Sequence, residues 1–313
     1  MKRTLRLMLF LAMFLTLTWA AVFGDDSNAE VTPTGLRFIK LNQVSVERED
    51  LFVSKDKVEV SMIFKNNSNK DISTTIAFPI PDNRFSLAPP GETYFEDFSV
   101  EVDGHPLKYQ TEVRAFAHGR ECTKILRDMG ISIQHFANFY GDSTKQFSKL
   151  SARDKALLIN SGIVEDQTGW PQWIVKVKYY WPQTFPANKV VTIKHRYTPR
   201  PGFQYLSSSD KAFLRTQACA GEDILTTIDK SHSDKNIGSA IWVSYILKSA
   251  LNWAEPIKAF HLTIEKPEDA ILSTCFEHRF SKTSDNVFEE TINNFIPKSD
   301  LSIFFIQLDK SDK

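Results

Sequence analysis

The chain lacks the short signatures that announce common enzyme chemistry. G-x-S-x-G, G-x-x-x-x-G-K and G-x-G-x-x-G are all missing, which removes the nucleophile elbow, the phosphate loop and the dinucleotide turn. Its seven histidines, His105, His118, His135, His195, His232, His261 and His278, include no pair at the i, i+2 or i, i+4 spacing that assembles many metal sites. Charge of one sign is not in excess either. Lys and Arg total 38 and Asp and Glu total 38, which argues against a phosphate-binding surface and so against nucleic acid as a partner. Glycine is scarce, at 12 of 313 residues, and 42% of the chain is hydrophobic, a composition that builds a packed core rather than a disordered chain. After the first 24 residues no apolar run reaches membrane-spanning length.

Those first 24 residues have the composition of a secretory signal peptide. Lys2, Arg3 and Arg6 form a basic start, Leu7 to Trp19 an apolar run, and Ala20, Ala21 and Gly24 supply small residues for cleavage. The run falls short of the roughly 20 residues a bilayer needs. A periplasmic or secreted protein with no membrane span after cleavage is therefore expected. The three cysteines, Cys122, Cys219 and Cys275, permit one disulfide in that oxidising setting. Spacing alone leaves three pairings open, and Cys219 with Cys275 is expected because both lie in the C-terminal half.

Downstream, apolar residues recur with period two. Val58, Val60, Met62 and Phe64 share one face while Lys57, Glu59 and Ser61 share the other. Asn66 to Asp71 reads as a turn, and Ile72 to Ile80 as a returning strand, so the two predict a hairpin. Phe98, Val100 and Val102 alternate into the hairpin-type turn Asp103-Gly104. Trp173 to Trp181 and Val190 to Tyr197 repeat the pattern. Between these groups the period becomes helical. Cys122, Ile125, Leu126 and Met129 precede Gly130, and Ile133, Phe136, Ala137 and Tyr140 follow the same spacing. Ser151 begins a third helix that stops near Gly162. Further strands are predicted at Ile241 to Leu247, Ile257 to Glu265, Ala270 to Phe276, Val287 to Ile292 and Leu301 to Leu308. The expected fold is mainly β, with two β-sandwich-like parts at residues 25–200 and 201–313 and an α-helical insertion at about 111–165 in the first.

Several segments together resemble the domain of unknown function family 4424. They are Gly35-Leu36-Arg37-Phe38, Glu47 to Leu51, Val58 to Asn66, Ala77-Phe78-Pro79-Ile80-Pro81-Asp82, Thr184-Phe185-Pro186-Ala187, His195-Arg196-Tyr197, Asn252 to Ile257, Asn294 to Pro297 and Asp300-Leu301. The resemblance runs nearly end to end after the leader. It implies an exported bacterial protein, typically periplasmic, with no established activity. The first part is also similar, more faintly, to the vault/inter-alpha-trypsin domain, which implies a β-sandwich engaged in protein contacts. A bacterial source makes the glycosylation acceptor Asn66-Asn67-Ser68 irrelevant.

Candidate chemistry is sparse. Asp229-Lys230-Ser231-His232-Ser233 fits a D-x-S-x-S cation motif, but the antiparallel strands that follow suit a short surface helix or loop better. His118 stands near Cys122, yet the helical register of Cys122 predicts a buried structural thiol. His195 alternates with Val191, Ile193 and Tyr197 and is expected to face a core. Glu47, Glu49 and Asp50 form the densest acidic cluster and read as a solvated strand edge. Trp170, Trp173, Tyr180 and Trp181 are the candidate binding residues, able to offer stacking faces to a sugar or a partner protein, although strand alternation turns one set inward. No catalytic residue, metal ligand or cofactor is assigned. The leading expectation is a non-catalytic envelope binding or scaffold protein that contacts a protein or a glycan. The alternative is a hydrolase with a carboxylate- or His-based site in the cleft between the two β-rich parts.

Overall fold

The computed structural model describes residues 26–32, 35–81, 97–133, 142–230 and 238–308. The segment 1–24 expected to be a leader, most of the helical pattern through Phe136, Ala137 and Tyr140, and Ser231, His232 and Ser233 lie outside them. The chain is mainly β, 51% strand and 16% helix.

Alternation puts one face of each strand in the core, and the strands collect into three sheets. The largest has eight strands in the order Ser281–Lys282, Val287–Phe295, Ile257–Glu265, Val44–Ser54, Val58–Asn66, Val190–Tyr197, Ser99–Val102 and His105–Pro106. Its neighbours run antiparallel except Ile257–Glu265 beside Val44–Ser54, which is a parallel pair. The second sheet has six strands, ordered Gly35–Phe38, Ser27–Thr32, Ile72–Pro79, Trp173–Phe185, Gln110–Ala117 and Arg120–Glu121. These two face each other across one core. Val58, Val60, Met62 and Phe64 on one side meet Ile76, Phe78, Val175, Val177 and Trp181 on the other. Phe98 stacks on Tyr179 at 4.1 Å between ring centroids, and Phe64 lies 5.7 Å from Phe185. Burying each such large side chain stabilises by about 1.5–3 kcal/mol.

The expected hairpin at Asn66 to Asp71 is instead an arch. Val58–Asn66 belongs to the eight-stranded sheet and Ile72–Pro79 to the six-stranded sheet, so the turn carries the chain across the sandwich. Trp173–Phe185 and Val190–Tyr197 are joined by a second arch beside the first. The buried Asn66 side chain fastens the two: its amide donates to Lys70 O at 2.8 Å and Phe185 O at 2.9 Å, and its Oδ1 accepts from Ser68 N at 2.8 Å. Asn188 N donates to Ser68 O at 3.0 Å across the same junction. Both strands of each arch bury an apolar face, which two facing sheets allow and a single flat hairpin would not require. The Asp103-Gly104 turn does form a hairpin, with φ of 50° and 79° at the two residues, as two-residue hairpin turns demand.

The helical region begins later than periodicity suggests. Gln110–Ala117 is a strand of the six-stranded sheet, and helices follow at Thr123–Asp128, Asp142–Ser148 and Ala152–Asn160. Ser151 caps the last of these by accepting from Asp154 N at 3.1 Å. Residue 200 is not a break between sheets. Ile257–Glu265, Val287–Phe295 and Ser281–Lys282 extend the eight-stranded sheet, while Gly202–Leu206, Gly238–Tyr245, Leu301–Leu308 and Ile271–Thr274 form a four-stranded one. One face of that sheet adds Val243, Tyr245, Ile303 and Phe305 to the main core. Its other face packs Ala240, Phe304 and Ile306 under the helices Lys211–Gln217 and Glu222–Lys230, through Leu214 and Leu225. A Cys219–Cys275 disulfide staples this smaller core. Its 56-residue loop corresponds to about 4 kcal/mol in the chain-entropy account.

Asn66→Ala leaves buried carbonyl groups without their donor, and we expect a loss of about 3 kcal/mol. Urea unfolding should show a lower midpoint with the slope unchanged. An unchanged midpoint would mean that the arches do not depend on Asn66.

Candidate functional site

The eight-stranded sheet has one face in the core, so its other face carries the side chains that alternation leaves over. Across five adjacent strands these are Ser99 and Glu101, Lys194 and Arg196, Glu59 and Ser61, Asp50 and Phe52, and His261 and Thr263. Cross-strand register aligns them in two rows. One runs Glu101, Lys194, Ser61, Asp50, His261; the other runs Ser99, Arg196, Glu59, Phe52, Thr263. Together they line a groove of about 490 Å³, within the range of small-molecule sites.

Its charges are arranged in pairs. Arg48 grips Asp50 with both arms of its guanidinium, Nε to Oδ2 at 2.7 Å and Nη2 to Oδ1 at 2.6 Å. That carboxylate holds the Arg48 guanidinium above its ordinary pKa. Glu59 lies 3.2 Å from Lys57 Nζ and 3.4 Å from Arg196 Nε. The Lys57 ammonium sits 4.6 Å from the centre of the Phe52 ring. Both ring nitrogens of His261 are hydrogen-bonded, Nδ1 to Thr291 Oγ1 at 2.9 Å and Nε2 to Thr263 Oγ1 at 3.2 Å. Among the described residues Lys194 and Glu101 take part in no ion pair. Asp50 and Glu59 are diagonal cross-strand neighbours, about 7–8 Å apart by sheet geometry. That backbone spacing places the two carboxylates in one groove. Both carboxylates are already engaged by cations, however, and neither stands as a free acid aimed into the groove.

The four aromatic candidates are not brought together. Trp173 and Trp181 are buried, at 1% and 0% exposure, so the core occupies their stacking faces. Tyr180 points to the opposite side of its strand, where its hydroxyl donates to Gln110 Oε1 at 2.7 Å. Trp170 is half-buried in the loop before the strand, and its carbonyl accepts from Glu165 N at 2.9 Å. Strand parity separates these residues, since successive side chains leave opposite faces.

His195 does face the core, where Nε2 donates to Asp26 Oδ2 at 2.8 Å with both side chains wholly buried. Phe78, Phe98 and Trp181 surround the imidazole with ring centroids at 4.9, 5.5 and 5.4 Å. Trp253 Nε1 donates to the backbone oxygen of Asp26 at 2.7 Å, and Asn252 donates to Ser27 Oγ at 2.8 Å. This cluster pins the N-terminal strand. Sequence reading placed His195 inward but could not find Asp26, a partner 169 residues away.

The acidic cluster is not at a strand edge. Val44–Ser54 is paired on both sides, Glu47 bonds Lys258 Nζ at 2.8 and 3.0 Å, Glu49 is buried, and only Asp50 enters the groove. Burial outweighed by the Lys258 and Ser45 contacts leaves the Glu47 carboxyl below its ordinary pKa. His118 Nε2 donates to Gly162 O at 3.0 Å rather than to the thiol. Among the described residues, no three His, Cys, Asp or Glu side chains are placed to hold a metal ion. Cys122 is buried and free, and burial pushes its thiol from 9.0 up to about 11. At pH 8 this shift leaves about a hundredfold less thiolate than in the unfolded chain. We therefore expect iodoacetamide to modify Cys122 at least about a hundredfold faster after denaturation. Equal rates in native and unfolded protein would contradict the buried placement.

No curated protein matches the chain. Among solved structures, one from Legionella pneumophila that carries the provisional name nutrient binding protein superposes with a TM-score of 0.43 and 15% identity, covering 91% of this chain and 71% of that one. An M1 zinc metallopeptidase from Deinococcus radiodurans gives 0.33 and 8%, covering 86% of this chain and 43% of that one. Yeast LTA4 hydrolase gives 0.30 and 11%, covering 85% and 29%. All three scores are below 0.5 and carry no argument about activity. The profile of the Domain of unknown function (DUF4424) matches residues 24–304, nearly the whole chain, and the protein belongs to that family.

Proposed function

We propose that this protein is exported to the periplasm and acts there as a non-catalytic binding or scaffold protein of the cell envelope. In this reading the outer groove of the eight-stranded sheet is where it meets an envelope protein or a glycan. The leader composition supports export, and the Cys219–Cys275 bridge suits an oxidising compartment. One observation carries the binding role. Ten outward side chains of adjacent strands converge on one polar groove, and its carboxylates Asp50 and Glu59 are held by Arg48, Lys57 and Arg196 as fixed acceptors. General acid catalysis wants a carboxyl that keeps its proton near neutral pH, usually one buried away from cations.

The hydrolase reading retains one favourable observation, the presence of two carboxylates, Asp50 and Glu59, in one groove. Its site would lie on the face of the large sheet rather than in a cleft between two β parts.

A photo-crosslinking residue at Ser99, compared in living cells with one at Leu157, tests the binding role. Leu157 lies on the helix Ala152–Asn160 and is 48% exposed. The expected result is a discrete envelope adduct from position 99 and none from 157. Identical adducts from both positions, or none from 99, would contradict it.

A further inference from the structure

The groove has features that select a ligand class, and the inference rests on the binding role just proposed. Its first feature is the mixing of both signs of charge. Asp50, Glu59 and Glu101 face Lys194 and Arg196, with Arg48 and Lys57 at the margin. A ligand of either charge would meet groups of its own sign there, whereas an uncharged one meets no such repulsion.

Its second feature is the alternation of hydrogen-bonding character. Along one row Glu101 accepts, Lys194 donates, Ser61 does both and Asp50 accepts, at the interstrand spacing of about 4.8 Å. Hydroxyl groups match such a row because each can donate and accept. An extended peptide matches it less well. Peptides add to sheets through main-chain bonds at an edge, and the strands beneath this groove already have neighbours on both sides.

Its third feature is reach. Five strands span about 19 Å, more than one sugar ring covers. Phe52, whose ring the Lys57 ammonium already approaches at 4.6 Å, gives the floor its apolar element.

We propose that the groove binds an uncharged oligosaccharide lying across the strands, with its hydroxyl groups donating to Asp50 and Glu59 and accepting from the ammonium of Lys194. Lys194, without an ion-pair partner among the described residues, is the donor left over for a ligand.

Isothermal titration of the exported chain with cellohexaose, maltohexaose and chitohexaose tests this. At least one should bind. Asp50→Asn should weaken that binding about tenfold, the loss of one charge-assisted hydrogen bond, and Lys194→Ala should weaken it comparably. Ser61→Trp, which fills the centre of the groove, should abolish it while the thermal midpoint stays unchanged. If Ser61→Trp does not fold, Asp50→Asn and Lys194→Ala decide. Raising salt from about 0.05 to about 0.5 M should change the affinity less than twofold, because no ligand charge is screened. The proposal is overturned if none of the three sugars binds, if both polar variants bind as the parent does, or if salt weakens binding steeply. A protein adduct from the crosslinker at Ser99 would overturn the sugar while leaving the binding role in place.

Discussion

Burial of one whole face of the eight-stranded sheet against the aromatic face of the six-stranded sheet is the constraint on which everything else rests. A strand has only two faces. Once Val58, Val60, Met62 and Phe64 are committed to the core, Glu59 and Ser61 are obliged to point outward. A slip of one residue in any strand would exchange these sets, placing carboxylates beside Trp181 and Phe78. The groove is thus a by-product of packing: its side chains are held at fixed spacing by strands whose opposite side chains have nowhere else to go.

The sandwich is closed by polar contacts at its ends and interior. Asn66 ties the two arches, while Asp26, His195, Asn252 and Trp253 tie the start of the strand Ser27–Thr32, in the six-stranded sheet, to the eight-stranded sheet and to the segment before Ile257–Glu265. A buried acid and imidazole add little net stability when paired, yet removing either partner is costly because the other is left behind. Their effect is to specify where the strand Ser27–Thr32 must lie. Gly35 works to the same end from outside. Its φ is +108°, a backbone conformation that side-chain-bearing residues rarely adopt, so the hairpin favours glycine at that position.

Strand positions and facing were legible because alternation is local. Ile257–Glu265 and Leu301–Leu308 emerge where their patterns run, and His195 turns inward as its apolar neighbours require. What could not be read is which strand meets which. Nothing within Val44–Ser54 or Ile257–Glu265 announces that they lie side by side in parallel, since the pairing joins residues some two hundred positions apart. For the same reason the turn at Asn66 looked like a hairpin. The residues of a tight turn are the same whether the chain returns beside itself or crosses to a facing sheet, and only the second sheet decides. The groove shares this limit. Asp50 drew notice as part of an acidic cluster, but its neighbours Glu59, Lys194 and His261 come from strands whose order no local signal contains. The tryptophans misled in the opposite way, because Trp173 and Trp181 share the parity of Val175 and Val177 and are therefore core.

Hydroxyl-radical footprinting of the chain, with and without an envelope extract from its own cells, tests most directly the proposal that the outer face of the large sheet is the contact surface. Phe52 and His261 should be protected by the extract, while Tyr205, 64% exposed on the four-stranded sheet, should be oxidised equally in both samples. Protection of Tyr205 or Trp170 with Phe52 and His261 unchanged would contradict it.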